Sequence, residues 1–260
     1  MYSFNYHCVS STEEASALFD SCDSAVYLSG GMTLIPTLKQ RLDYPTDVID
    51  LRAINDLQGI VKENGSIRVG SRTCHADVAS NQHLQALADL AGGIGDLQVR
   101  NCGTIGGSIA NNDPAADYPA ALLGLGATVH TNNRDISADD FFVDLFETAL
   151  DMGEIVTAVS FPTPQRAAYM KFPNPASRYA IVGVFVADLQ TGVRVAVTGA
   201  GSCVFRATAI EEALQRDFRP AAVEGVSVDH ASFNADIHAS QEFRGHLVTE
   251  MAKRAVAQIA

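Results

Sequence analysis

Basic residues are scarce: 18 lysines and arginines stand against 30 aspartates and glutamates, a net charge of −12. A chain this acidic repels phosphate backbones, which argues against nucleic acid as its main partner. Cysteine is sparse and scattered. Cys8, Cys22, Cys74, Cys102 and Cys203 are odd in number and contain no Cys-x-x-Cys pair. Iron–sulfur or structural zinc sites built from this chain alone are therefore not expected, and free thiols in a reducing cytoplasm are. Long apolar runs are missing too. The longest uncharged stretch, residues 118–133, is broken by a proline, Thr and His side chains and two asparagines, so no membrane span is expected. Residues 1–7 have neither a basic nor an apolar segment, so no secretory signal is expected.

Common catalytic signatures are also absent. Gly93-Ile94-Gly95 has Gln98 where a Gly-x-Gly-x-x-Gly fingerprint needs its third glycine. There is no Gly-x-x-x-x-Gly-Lys-Ser/Thr phosphate loop. There is no Gly-x-Ser-x-Gly nucleophile turn. The seven histidines are dispersed. His75 with Asp77 and His230 with Asp229 are the nearest approach to a catalytic pair, and no nucleophile is suitably spaced, so surface or capping roles are expected for them.

What is present is a globular balance. Hydrophobic residues make up 47% of the 260 and charged residues 18%. That length suits one large domain or two to three small ones, at roughly 100–200 residues each. Residues 25–28 read as a buried strand, 33–42 as a helix and 47–51 as a second, parallel strand. Residues 60–63 and 66–70 flank Asn64-Gly65, a hairpin signal. Helices are expected at 75–91 and 115–125, and strands at 127–131 and 154–161. Pro162 and Pro164 mark a boundary. Beyond it, 179–189 and 194–198 read as antiparallel strands, and 207–216 and 241–259 as helices. Arg244, Lys253 and Arg254 on the last helix are expected to be solvated. The fold expected is α+β: an N-terminal half with mixed sheets, then a smaller C-terminal domain of antiparallel sheet and helices. The expected units are residues 1–57, 58–164 and 165–260.

Two glycine-rich segments carry the chemistry. Ser29-Gly30-Gly31-Met32-Thr33 lies between a strand and a helix start, where free N–H groups favour a phosphate. Thr104-Ile105-Gly106-Gly107-Ser108 lies in an uncharged run from Asn101 to Asn112. Missing Cβ atoms let backbone N–H groups approach a ligand and form an anion-binding nest. Two such segments suit a ligand with two phosphates. The competing reading is that the glycines only make tight turns. It carries more weight for the first segment than for the second.

The sequence resembles the FAD-binding medium subunits of molybdenum hydroxylases, a family that includes the medium subunit of carbon monoxide dehydrogenase and the flavin domain of xanthine dehydrogenase. The resemblance rests on Gln98-Val99-Arg100-Asn101-x-Gly103-Thr104-Ile105-Gly106-Gly107-Ser108 followed by Asp113-Pro114-Ala115-Ala116-Asp117, supported by Gly30-Gly31-x-Thr33-Leu34-Ile35-Pro36 and Asn174 to Ala180. Ser29 stands where the family usually has alanine.

The resemblance implies a two-subdomain, PCMH-type FAD site with a C-terminal domain over the isoalloxazine. Both glycine segments would grip the FAD pyrophosphate. Asp117 would accept from the ribityl hydroxyl region, against a competing reading as a helix-surface carboxylate. Lys171 and Tyr179 would approach the flavin ring, against readings as a solvated lysine and a core tyrosine. The implied function is electron transfer as a subunit of a cytoplasmic complex. Electrons would come from [2Fe–2S] clusters on a small partner subunit and go to an external acceptor, while a large molybdopterin subunit oxidises the substrate. The assembly would be a heterotrimer or a dimer of heterotrimers. No side chain of this chain is expected to be catalytic and none to bind metal. The alternatives are a stand-alone FAD-dependent oxidoreductase of the same fold and an assembly or scaffold subunit without FAD.

Overall fold

A computed structural model describes residues 1–63 and 65–260. Its first unit is a three-stranded parallel sheet. The elements run β1 (Asn5–Cys8), α1 (Thr12–Ser21), β2 (Ala25–Leu28), α2 (Leu34–Lys39) and β3 (Asp47–Asp50), with β3 in the centre. The parallel β2–α2–β3 unit is the one expected. β1 and α1 were not expected, although α1 carries a readable start. Ser11 Oγ accepts from Glu14 N, and the Glu14 carboxylate reaches back to Ser10 N, one residue before the cap, at 2.7 Å, a reciprocal cap related to the capping box.

The second unit holds β4 (Ile60–Glu63), β5 (Ser66–Gly70), the helices α3 (His75–Ala79), α4 (Gln85–Gly92), α5 (Leu97–Cys102), α6 (Ile105–Asn111) and α7 (Tyr118–Leu125), then β6 (Thr128–Thr131), β7 (Asp135–Ser137), α8 (Ala138–Phe141), β8 (Phe142–Asp144), β9 (Glu147–Thr148) and β10 (Val156–Pro162). Its main sheet is antiparallel in the order β4-β5-β10-β6-β7. β4 and β5 pair as expected, with Glu63 opposite Ser66. Of the turn between them, Gly65 is left-handed at φ +81°, and Asn64 lies outside the described residues.

Three helix expectations need correcting. The single helix over 75–91 is two, because Asn81 Oδ1 takes the His83 N–H at 2.8 Å and the local turn competes with the helix. The helix expected from Ala115 starts at Tyr118. Asp113 Oδ1 first captures Ala115 N, and Pro119 then occupies the first turn, where its missing N–H costs nothing. The second glycine segment is helical, not loop. Asp96 caps α5 through Val99 N, and Thr104 caps α6 through Gly107 N.

The third unit is an antiparallel sheet of β11 (Arg166–Pro173), β12 (Ala180–Leu189), β13 (Gly192–Thr198) and β14 (Phe205–Arg206) in sequence order, with α9 (Thr208–Arg216), α10 (Pro220–Val223) and α11 (Gln241–Ile259). β11 was not expected. The sheet is covered on both faces. One side packs on α11 and α9 through Val182, Val184, Val186, Val248, Met251 and Val256. The other packs on α7 of the second unit through Phe185 and Ala187. All eight residues of α7 are buried, as an all-apolar helix must be. Gly124 is required there, since a Cβ would stand 2.8 Å from the Phe185 ring. This shared core ties the second and third units together.

Two polar residues are buried against expectation. Arg244 is only 4% exposed. Its Nη1 donates to Ile181 O at 2.6 Å and Gly199 O at 2.9 Å, and its Nη2 pairs with Asp236. It ties α11 to the end of the sheet. His75 is 5% exposed and lies with its ring 5.3 Å from that of Tyr118. Burial, with a smaller push from Arg100, lowers its pKa to about 4.

Both buried side chains are open to direct test. Arg244→Met should lower unfolding stability by about 3 kcal/mol in urea titrations, because two carbonyls and Asp236 lose their donor; wild-type stability would show that the guanidinium is dispensable. The His75 ring stays neutral in the folded chain down to about pH 4, whereas in the unfolded chain it takes up a proton near 6.5. Stability should therefore decline as pH falls from about 6.5 to 4, by up to about 3 kcal/mol. His75→Gln should flatten that part of the profile; parallel profiles for the two chains would contradict it.

Candidate functional site

The two glycine segments meet. Ser29 Oγ lies 3.0 Å from Thr104 Oγ1. Gly30 packs so closely on the second segment that a Cβ would stand 2.1 Å from Cys102 O. The first segment leaves β2 and enters α2, and the second leaves α5 and enters α6. Behind the second segment, Gly106 lies on Ser71, where a Cβ would be 2.5 Å from the serine Cβ. Gly103 lies on His75 in the same way, with Nε2 at 2.6 Å.

Beside this junction is a cleft of ≈ 670 Å³, inside the roughly 300–1,000 Å³ of ordinary ligand sites. Ser29, Gly30, Gly31, Met32, Thr33, Thr104, Gly106, Gly107, Ser108 and Asp117 all line it. Ile105 and Lys171 do not. The Ile105 side chain points into the core at 0% exposure, because helical geometry puts it on the side opposite Gly107, which is exposed two residues on.

The segments contribute differently from what their shared composition suggests. In the second, Ile105 N donates to Thr73 O, Gly106 N to Ser71 O and Gly107 N to Thr104 Oγ1. Those N–H groups are occupied, so the expected nest is not formed there. What the second segment presents is hydroxyls and an open surface at Gly107, where a Cβ would touch only Thr104 Oγ1, at 3.0 Å. In the first segment, the N–H groups of Gly30, Gly31, Met32, Thr33 and Leu34 have no acceptor among the described residues, and α2 has no side-chain cap. Gly31 reaches φ +71°, which its lack of a Cβ permits. Five donors without a protein acceptor at the edge of a cleft are the chemistry an anion requires.

Asp117 is 4% exposed, not a surface carboxylate. Tyr169 Oη donates to its Oδ1 at 2.5 Å, and Lys171 Nζ lies 3.0 Å from the same oxygen. Burial pushes its carboxyl above the usual range, against the pull of Lys171 and Tyr169. Lys171 is not solvated. Its ammonium stands behind the cleft wall and donates to Gly93 O at 2.8 Å, Arg178 O at 3.0 Å and Asp117 Oδ2 at 3.1 Å. Tyr179 is no core residue. It lines the cleft at 45% exposure.

Sequence reasoning missed Tyr169, Arg178, Ser71 and Glu154. The last three line the cleft, whereas Tyr169 meets it only through Asp117. The signal for Tyr169 was the β11 alternation, in which Tyr169 and Lys171 share a strand face. Among the described residues no helix is long and apolar enough to cross a membrane, and no group of three His, Cys, Asp or Glu could hold a metal ion.

The phosphates of a dinucleotide fit this donor set: free N–H groups on one side, hydroxyls and bare glycine on the other. Comparison with known proteins gives the same answer. Residues 2–164 match the family described as the FAD binding domain in molybdopterin dehydrogenase. The nicotine 6-hydroxylase medium subunit of Paenarthrobacter nicotinovorans is 32% identical, over 97% of this chain and 96% of its own length. The carbon monoxide dehydrogenase medium chain of Hydrogenophaga pseudoflava is 30% identical, over 97% and 96%. Among solved structures, the Hydrogenophaga pseudoflava carbon monoxide dehydrogenase lacking the Mo-pyranopterin moiety superposes with a TM-score of 0.90 at 30% identity, covering 100% of this chain and 99% of that one. Quinoline 2-oxidoreductase from Pseudomonas putida 86 gives 0.88 at 25% identity, covering 99% and 96%. The chain belongs to the FAD-binding family of the molybdopterin dehydrogenases and is an FAD-dependent oxidoreductase subunit of that family.

Proposed function

We propose that this chain is the electron-relay subunit of a molybdenum hydroxylase complex. The observation that carries the reading is the run of five N–H groups from Gly30 to Leu34 without a protein acceptor, on residues that line one cleft with Thr104, Gly107 and Ser108. The first segment supplies N–H donors to the FAD diphosphate, and Ser29, Thr104 and Ser108 supply hydroxyls. Gly107 leaves the space. Local donors suffice for an anion although the chain is acidic, because main-chain dipoles make the contact.

When bound, FAD accepts and passes on electrons singly or in pairs, chemistry that no side chain here provides. The chain's own part is to orient and insulate. Asp117, held by Tyr169 and Lys171, presents a fixed carboxylate to the cleft for polyol hydroxyls. Lys171 serves from behind, holding Asp117 and the Gly93 carbonyl in place. Tyr179, half exposed at the mouth, is placed to cover an aromatic ring.

In that role the chain would take electrons from [2Fe–2S] clusters on a small partner subunit and pass them to an external acceptor, with a large molybdopterin subunit oxidising the substrate. The relatives named above are medium subunits or chains, which supports a heteromeric assembly; its cytoplasmic location is part of the proposal. Residues 1–57, 58–164 and 165–260 act as its three units, each with its own main sheet.

Two outcomes are expected. Gly107→Val should weaken FAD binding by roughly 100-fold, about 3 kcal/mol, with the chain still folded, because the added Cβ meets only Thr104 Oγ1 and no core atom. FAD titration followed by visible absorption checks this; wild-type affinity would remove Gly107 from the site. Co-expressed with its complex, the chain should elute with one iron–sulfur and one molybdopterin polypeptide. A lone yellow monomer at every step would refute the assembly and leave the cofactor assignment standing.

A further inference from the structure

We propose that Arg178 is a latch across the mouth of the cleft, governing how fast FAD enters and leaves more than how tightly it is held. The inference rests on the reading of this cleft as the FAD site.

Two walls from different units face each other there. Ser177, Arg178 and Tyr179 belong to the strap between β11 and β12. Ile94 and Gly95 follow α4, and all five residues line the same cleft. The Arg178 side chain spans the gap, and its Nη1 donates to Gly95 O at 3.0 Å. The far wall is braced to receive it. Arg100 Nη1 holds Ile94 O at 2.9 Å and the same Gly95 carbonyl at 3.1 Å.

The strap is fixed through its backbone, and the Arg178 side chain is the exposed part of it. Lys171, with a side chain only 10% exposed, grips both Arg178 O and Gly93 O. Asn174 closes the strap on itself, its Oδ1 taking Ala176 N and Ser177 N, and its carbonyl taking Arg178 N. Arg178 sits at φ +64°, a conformation that residues with a Cβ avoid. That turn points its carbonyl at Lys171 and its guanidinium at Gly95. The side chain itself is exposed. One hydrogen bond between an exposed guanidinium and a neutral carbonyl is a weak tie that opens and recloses easily. The buried three-acceptor contact of Lys171 holds the base; the Arg178 contact has the character of a catch.

A catch and a binding contact differ in kinetics. A side chain that only bars the mouth raises the barrier in both directions, so removing it speeds entry and exit together and leaves the equilibrium in place. A side chain that holds the ligand changes exit and affinity together.

The test is stopped-flow flavin fluorescence on the full-length chain, measuring FAD uptake by apo-protein and FAD release from the holo-protein. Arg178→Gly is the informative variant, because glycine accepts φ +64° without strain and keeps the strap folded. Both rates should rise by about tenfold, with the dissociation constant within about twofold of wild type and the melting temperature unchanged. Arg178→Lys, which can still reach a carbonyl with a cation, should return both rates toward wild type. Unchanged rates overturn the latch. A faster release alone, with matching loss of affinity, makes Arg178 a cofactor contact and also overturns it. Faster rates together with a lowered melting temperature make Arg178 a structural tie, and the latch fails in that case too. Wild-type chain that takes up no FAD would overturn the cofactor reading first, and the latch with it.

Discussion

The close approach of Gly30 to the Cys102 carbonyl is the contact on which the site depends. A side chain at position 30 would drive the two segments apart. With it absent, Ser29 and Thr104 come within hydrogen-bonding distance, and the turn leading into α2 is set against the N-terminus of α6. Residues 30–34, with their unpaired N–H groups, then line the same cleft as the hydroxyls of Thr104 and Ser108 and the bare Gly107. Neither segment alone would enclose an anion. The parallel sheet of the first unit and the helices of the second exist, functionally, to hold this junction.

The third unit reaches the cleft through the core it shares with α7. That helix is apolar on every side because it is packed between the two sheets, and its burial carries Asp117, the residue just before it, under cover. Tyr169 and Lys171 then arrive from β11 to satisfy the carboxylate. An isolated carboxylate so buried would be costly. Here it is held by a cation and a phenol, and the same lysine joins two units. Packing, charge satisfaction and closure of the cleft are consequences of one placement.

Much of this was legible in the residues. The β2–α2–β3 unit, the β4–β5 hairpin and the β12–β13 pair follow from periodicity and turn chemistry, and the glycine segments were conspicuous by composition. What sequence alone could not separate was the role of each glycine. Gly103, Gly106 and Gly30 are needed where two chain segments touch, and Gly107 is needed where nothing from the protein does. Nor could it show that the N–H groups of α6 are consumed by Thr73 and Ser71, since those partners lie about 30 residues away. Arg244 read as a solvated cation and Lys171 as a residue approaching the flavin ring, because the carbonyls and carboxylates that hold both are brought in by tertiary structure. Tyr169 was missed with its strand, which follows two boundary prolines.

If FAD binds as proposed, the diphosphate is what the junction recognises. Equilibrium titration of the apo-chain with FAD and with riboflavin, which carries the same ring and ribityl chain but no phosphate, tests it most directly. FAD should bind tighter by at least about a thousandfold, about 4 kcal/mol. Riboflavin binding as tightly as FAD would contradict the account, because the N–H groups of residues 30–34 would then contribute nothing to holding the cofactor.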